Sequence, residues 1–291
     1  MERGLFLRMR RTLRRLGRRR ASARFTYTDA TVLEVYLWAA LHGRPVCWAC
    51  DPAHWPPGTR RGPLPSPSAL SRRMRTRSVL RLLGRLLRAL GPRDASGLVA
   101  MMDGMPLVIG PHSHDRQSGY GRAASGKARG YKLHLILGPG GRVLAWRVAP
   151  MHVDERVMAR RMLRELEHDG YLLADANYDA GYLFEAASAR GVQLVTPRRH
   201  GPGKGLGHRR QPEGRLRSVA LTETDECRFG RELMRERWAI ERFFGTLRSH
   251  PCGLTHLPPW VRGWQRVNTY VAAKLAIIAA VKAECREALM Q

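Results

Sequence analysis

Three acidic residues stand where an acid is out of place. In "LVAMMDG" (98–104) an apolar run ends in Asp103, followed by Gly104. In "YLLADANYDAGY" (171–182) a second apolar run ends in Asp175, and Asp179 follows one helical turn later. In "RWAIERFFGTLR" (237–248) Glu241 lies among Trp238, Ile240, Phe243 and Phe244. Acids are rarely buried unless something pairs with them. A carboxylate at the C-terminal end of a central strand faces the crevice where α/β sheets bind ligands. On neighbouring strands Asp103 and Asp175 would face one cleft, and their like charges repel unless a cation intervenes. Carboxylate oxygens suit Mg²⁺, which takes waters and substrate phosphates as its other ligands. Two such ions, ~3.5–4 Å apart, can serve both the attacking and the leaving oxygen of a phosphodiester. Glu241 is the candidate third ligand. Arg237 lies one turn before it and Arg248 about two turns after, near the same helix face, and both can engage a phosphate.

The surrounding pattern predicts the elements that hold these residues. "LVAMMD" reads as a short strand, expected to end at Asp103. "YKLHLIL" (131–137) alternates with period two, and "RVLAWRVA" (142–149) follows across "GPGG", an antiparallel hairpin. "VDERVMARRMLRELEHDG" (153–170) is an amphipathic helix with a Gly stop, "YLLAD" a second buried strand, "AGYLFEAASARG" (180–191) a helix and "VQLVT" (192–196) a strand. Strands alternating with helices in this order predict an α/β fold with a mixed sheet. The Gly-rich segment 198–217, with Arg198 and Arg199 at its start, carries seven basic residues and one Glu; without periodicity it reads as a loop that holds phosphates. One long helix is expected from Gly230 through Glu241, and a second, strongly apolar one over roughly 262–284.

The charge points to a polyanionic partner. Lys and Arg number 51 against 24 Asp and Glu, a net charge of +27. Only five of the basic residues are Lys, a preference a GC-rich genome explains, but that bias does not explain two basic residues per acid. Such a surplus attracts nucleic acid. Residues 1–97 hold 21 Arg and five acids. Within them, 1–24 reads as a basic arm whose leucines are too irregularly spaced to mark a helix. "TDATVLEVYLWAAL" (28–41) is a capped helix, and "SPSALSRRMRTRSVLRLLGRLLRALG" (66–91) is a short helix carrying Arg72 and Arg73, then a longer one stopped by Gly91-Pro92. This succession suggests a helix-turn-helix-like DNA-binding unit over 25–95. Five cysteines form no disulfide framework and point to a reducing compartment. Cys47 and Cys50, near His42 and His54, lack the second tight pair of a zinc site, and His112, His114 and Asp115 read as a polar loop. The late apolar stretch 270–281 is too short to span a bilayer and contains Lys274.

Four motifs in order resemble the DDE transposases of bacterial insertion sequences. "MMDG" resembles the first-Asp motif, "GKARGYKLHLILGPGGRVLAWRVAP" the strand pair with KLH, "ADANYDAGY" the D-x-x-Y-D block, and "RWAIERFFGTLR" the R-x-x-x-E helix. The spacings are 72 residues from Asp103 to Asp175 and 66 from there to Glu241. The resemblance covers roughly 97–285. It implies an RNase H-like mixed sheet flanked by helices, here preceded by the small helical N-terminal domain and interrupted by the basic insert 198–230. It also implies a catalytic triad of Asp103, Asp175 and Glu241 holding Mg²⁺, with Mn²⁺ able to substitute. The reaction implied is hydrolysis of a phosphodiester at an element end, followed by attack of the freed 3′-hydroxyl on target DNA. Partners would be duplex DNA, as terminal inverted repeats and as target, and a second copy of the chain when two ends are synapsed, in the nucleoid of a bacterial cytoplasm and with no membrane. Where many relatives carry Tyr three residues before the Arg and Lys seven after the Glu, this chain has Met234 and Arg248. Arg can still bind phosphate; Met cannot replace a phenol.

Further DNA contacts are expected from Arg72, Arg73, Lys127, Arg129, Lys132, Arg198, Arg199, Arg237 and Arg248, and from Asn177 and Tyr178 at the helix start after Asp175, where free amides favour phosphate. The rival functions are a DNA-binding regulator that has lost the chemistry, an RNase H-like nuclease that cuts without strand transfer, and a basic ribosome-associated protein, which has no use for three ordered acids.

Overall fold

The computed structural model describes residues 2–17, 26–59, 62–92, 96–124, 126–201, 205–206, 210–223 and 228–289. The chain divides into two compact units. One comprises Met1–Pro92, Ile109–Arg116 and Thr246–Gln291; the other comprises Arg93–Val108 and Gln117–Gly245.

The first unit is helical. Helix α1 spans Glu2–Leu16, so the Arg-rich N-terminus is ordered where the sequence suggested an irregular arm. Leu5, Phe6, Met9 and Leu13, at i, i+1, i+4 and i+8, form its buried stripe. Phe6 meets Trp38 and Trp55 edge-on at 5.0 and 5.6 Å. The rest of the expected arm, 18–24, lies outside the described residues. Helix α2 (Asp29–Leu41) begins at Thr28, whose hydroxyl accepts the Thr31 N–H. A single turn, α3 (Val46–Ala49), precedes α4 (Pro67–Arg73), which Ser66 caps with Pro67 at its first position. Helix α5 (Arg77–Leu90) buries Val79, Leu82, Leu83, Leu86, Leu87 and Leu90.

The second unit carries the sheet. Its strands are β1 (Val99–Ile109), β2 (Gly119–Ala123), β3 (Gly126–Leu137), β4 (Val143–Pro150), β5 (Gly170–Leu173) and β6 (Val192–Val195). The order is β2-β3-β1-β5-β6, with β4 also paired to β3. Strands β2 and β4 bind successive halves of β3, at 126–130 and 131–137. β3 runs antiparallel to β1, while β5 and β6 run parallel to it in sequence. The turn from β3 to β4 places Gly140 and Gly141 at φ 62° and 78°, a region that favours glycine. Helices α6 (Glu155–Leu163) and α7 (Gly181–Ser188) contribute Ala159, Met162, Leu163, Leu183 and Phe184 to a core shared with Ala100, Met102, Leu172 and Leu194 of the strands. A mixed sheet of this order with helices packed on it is the RNase H-like arrangement.

Two expectations about the C-terminal half need correction. The basic insert is not all loop: α8 spans Glu213–Glu223. Its helix has little amphipathic period and is held instead by Ser218, whose hydroxyl accepts the Thr196 N–H and donates to the Thr196 carbonyl. Parts of the insert, 202–204, 207–209 and 224–227, lie outside the described residues. The single helix expected from Gly230 is two, α9 (Arg228–Arg235) and α10 (Trp238–Arg248), broken at Glu236–Arg237. Glu241 therefore sits in the first turn of α10 rather than mid-helix. Helix α11 (Trp264–Leu289) returns to the first unit. There buried Lys274 donates to the Ala40 carbonyl at 2.6 Å, and burial lowers its pKa to about 8.

Candidate active site

The parallel ladder between β1 and β5 ends at the pair Met101–Leu173. Asp103 and Asp175 each lie two residues further on. Side chains alternate along a strand, so both acids lie on the same side of the sheet as that last pair. Asp103 is not at a strand end, as expected from sequence: β1 continues to Ile109, with Asp103 opposite Leu135 of β3. What stops short of Asp103 is its parallel neighbour, whose last pair is Met101–Leu173.

Each Asp bonds first to a backbone amide. Asp103 accepts the Gly104 N–H at 2.7 Å. Asp175 caps a 3-10 turn over Ala176–Tyr178, accepting the Asn177 N–H at 2.9 Å. Burial, with the nearby charges of Asp175 and Glu155, pushes the Asp103 carboxyl up to about 6 against the pull of the Gly104 amide and Arg237. Asp175 is raised too, by burial and then by Glu155, against the Asn177 amide, Arg237 and Lys132. Neither makes a salt bridge among the described residues.

Glu155, at the start of α6, is the functional candidate that sequence reasoning missed. It pairs with Lys132 of β3 and accepts the Tyr178 hydroxyl at 3.2 Å, and its charge acts on both aspartates. In the sequence it is only the second of two acids opening a helix, where acids are common. His134, two residues after Lys132 on β3, is fully buried with neither ring nitrogen hydrogen-bonded; burial lowers its pKa to about 4 and leaves it neutral.

Glu241 is tied to the group indirectly. It forms an ion pair with Arg237 at 2.8 Å, and the Arg237 charge acts on Asp103 and Asp175. Arg237 also lies over the Trp238 ring, 5.6 Å from its centroid. The structure thus brings Asp103, Asp175 and Glu155 into electrostatic reach of one another, with Glu241 joined through Arg237. Among the described residues no three His, Cys, Asp or Glu side chains approach closely enough to hold a metal ion together.

The residues expected to touch DNA divide into two sets. Exposed are Arg72, Lys127, Asn177, Arg199 and Arg248; Lys127 and the half-buried Arg129 lie 5.6 and 5.8 Å from the centroid of the exposed Tyr120 ring. The others are engaged with partners inside the protein. Tyr178 is fully buried, its hydroxyl aimed at Glu155. Lys132 is held by Glu155, Arg73 by Asp29 and Arg198 by Glu223. Asp179 is a brace: burial alone would raise its pKa, but a two-pronged bond from Arg215 at 2.7 and 2.9 Å and the Arg199 N–H hold it below the usual carboxylate value. In the helical unit Asp115 accepts the Gly263 N–H at 2.7 Å, and His54 meets the Trp48 carbonyl at 2.9 Å.

The structure thus sets two acids just beyond the parallel ladder of a mixed RNase H-like sheet. The transposase DDE domain family matches the chain over residues 94–279, and the chain belongs to that family. No curated protein gives a significant match. Membership makes the chain a transposase that acts on DNA, in a family that uses a divalent metal. No described helix is long and apolar enough to cross a membrane.

Proposed function

We propose that the chain cuts the ends of a mobile element by hydrolysis and joins the freed 3′-hydroxyl to target DNA, using Asp103, Asp175 and Glu241. The observation that carries the reading is the pair Asp103–Asp175, two shielded carboxylates beyond the β1–β5 ladder in a chain of the transposase DDE family. The donor chemistry fits a hard divalent ion: carboxylate oxygens, raised in pKa by burial and like charge, lacking a basic partner among the described residues. Asp103 and Asp175 would hold Mg²⁺, or Mn²⁺ in its place, with Glu241 joining once DNA engages Arg237. The ion supplies electrophilic stabilisation of charge at the phosphodiester oxygens.

The protein's own residues do the rest. The Gly104 and Asn177 amides orient the two carboxylates. Arg237 offers its guanidinium to a phosphate and releases Glu241 in doing so. Glu155, fixed by Lys132 and Tyr178, keeps the pocket negative and so favours cation entry. The DNA-rich nucleoid of a bacterial cytoplasm is the setting this chemistry requires, and synapsis of two ends calls for two copies of the chain.

The test is cleavage of a labelled element end with Mg²⁺, followed by recovery of joint molecules. Asp175→Asn is expected to abolish both while DNA affinity stays within a few-fold, since phosphate contacts dominate binding. Nicking without joint molecules supports a nuclease instead; binding without nicking under any divalent ion supports a regulator.

A further inference from the structure

The face of the helical unit that meets DNA is expected from sequence to be the short helix carrying Arg72 and Arg73. The structure points elsewhere. α4 has seven residues, and Arg73 is held by Asp29. The next helix, α5, presents Arg77, Arg81, Arg85 and Arg88 to solvent. At about 100° per residue these four fall within an arc of roughly 80°. At ~1.5 Å per residue they form a straight row about 16 Å long.

No counter-charge is set aside for this row. None of the four arginines has a salt bridge among the described residues, and α5 contains no acid. The acids of the same unit are engaged elsewhere. Glu2 meets His42 and His250, Asp29 holds Arg73, and Glu34 holds Arg14. Asp51 caps Ala53, Asp115 accepts the Gly263 amide, and Glu284 and Glu287 meet Arg8. Exposed helix faces usually interleave both signs at i and i+4. Four unrelieved guanidiniums on one rigid face repel each other unless an anion of matching shape covers them.

The occupant follows from what the face lacks. The apolar side of α5 is buried in the unit's core, so the helix cannot lie in a membrane surface on that side. Among its exposed residues, Arg77, Ser78, Arg81, Arg85, Arg88 and Ala89, no aromatic ring offers the stacking platform that single strands use. A duplex backbone presents phosphates at ~3.4 Å of axial rise per strand, so the row spans about five base pairs. We propose that α5 is a sequence-independent rail for the phosphate backbone of duplex DNA, with one arginine per turn. The proposal rests on the reading of the chain as a DNA-acting transposase and assigns the contact surface.

The test measures affinity for a 30-base-pair duplex of arbitrary sequence across a salt series, using the full chain. Replacing all four arginines by Gln is expected to reduce the slope of log affinity against log salt by about three to four. The pair Arg81→Gln/Arg85→Gln is expected to reduce it by about two and guards against misfolding of the fourfold variant, as checked by thermal unfolding. Arg228→Gln, an exposed arginine paired with Glu232 on its own helix, is expected to leave the slope unchanged. An unchanged duplex slope in both α5 variants overturns the proposal, as does a loss seen only with single-stranded DNA or RNA. Repeating the series with Asp175→Asn separates the two readings: cleavage that survives that change sinks the active-site assignment without altering the slopes.

Discussion

Replacing Asp103 with Asn should make the metal-free protein more stable at neutral pH while destroying its function. Burial first, then the charges of Asp175 and Glu155, move this carboxyl from 3.8 to about 6. A folded-state pKa above the unfolded value means that ionisation disfavours the fold. The stabilisation from the protonated group is complete below pH ~4 and is lost as pH rises through about 6. Two pH units correspond to roughly 3 kcal/mol. Asn copies the neutral acid and can still accept the Gly104 amide bond. The variant is therefore expected to match the wild type at pH 4 and to exceed it by up to about 3 kcal/mol at pH 7.5, in chelator, by urea denaturation. Adding Mg²⁺ should stabilise the wild type, by about 2.7 kcal/mol at a hundred times Kd, and the variant far less. A variant no more stable than wild type at pH 7.5 without metal refutes the claim that ionising this buried carboxyl opposes the fold.

Arg237→Ala removes the cation that lowers both aspartates, so the acid limb of the cleavage–pH profile should move to higher pH; an unmoved limb places Arg237 outside the site. Tyr178→Phe should leave DNA affinity within about two-fold and cost about 1 kcal/mol of stability for the lost bond to Glu155. A several-fold loss of affinity by anisotropy would instead restore Tyr178 as a DNA contact. Leu13→Ala, at a fully buried position of α1, should cost roughly 2–5 kcal/mol by denaturation, and no loss would show that the N-terminal helix does not pack as described.

What the sequence revealed depends on whether an element's signal is local. Asp103 and Asp175 were legible because each interrupts an apolar strand, and period-two alternation with a GPGG turn marked the β3–β4 hairpin. Glu155 was not, because nothing in a 23-residue separation tells that α6 crosses β3 at Lys132. The α9–α10 break has no Gly or Pro to announce it, and it shifts Glu241 into a first turn. α1 hid behind its own charge: with Arg on most sides, the narrow stripe Leu5-Phe6-Met9-Leu13 passes for irregular spacing. α8 hid because a side-chain bond to Thr196 holds it, and such a bond has no period.

The charge excess gives the site its physical logic. With about two basic residues per acid, a carboxylate readily finds a guanidinium: Asp29, Asp154, Asp179, Glu213, Glu223 and Glu241 all have. Asp103 and Asp175 are met by amides instead. An arginine in direct contact would occupy the lone pairs that a divalent cation needs. Arg237 acts on both acids from beyond ion-pair distance and spends its own contact on Glu241. That placement keeps the pair ionisable near neutral pH while leaving its oxygens open. On the proposed reading, an incoming phosphate would compete with Glu241 for Arg237, making DNA binding and completion of the acidic trio one event. Glu241→Gln should accordingly leave metal-free stability nearly unchanged, unlike Asp103→Asn, yet abolish cleavage. If both variants shift stability alike at pH 7.5, Glu241 already belongs to the repelling cluster before DNA arrives, and the coupling through Arg237 is wrong.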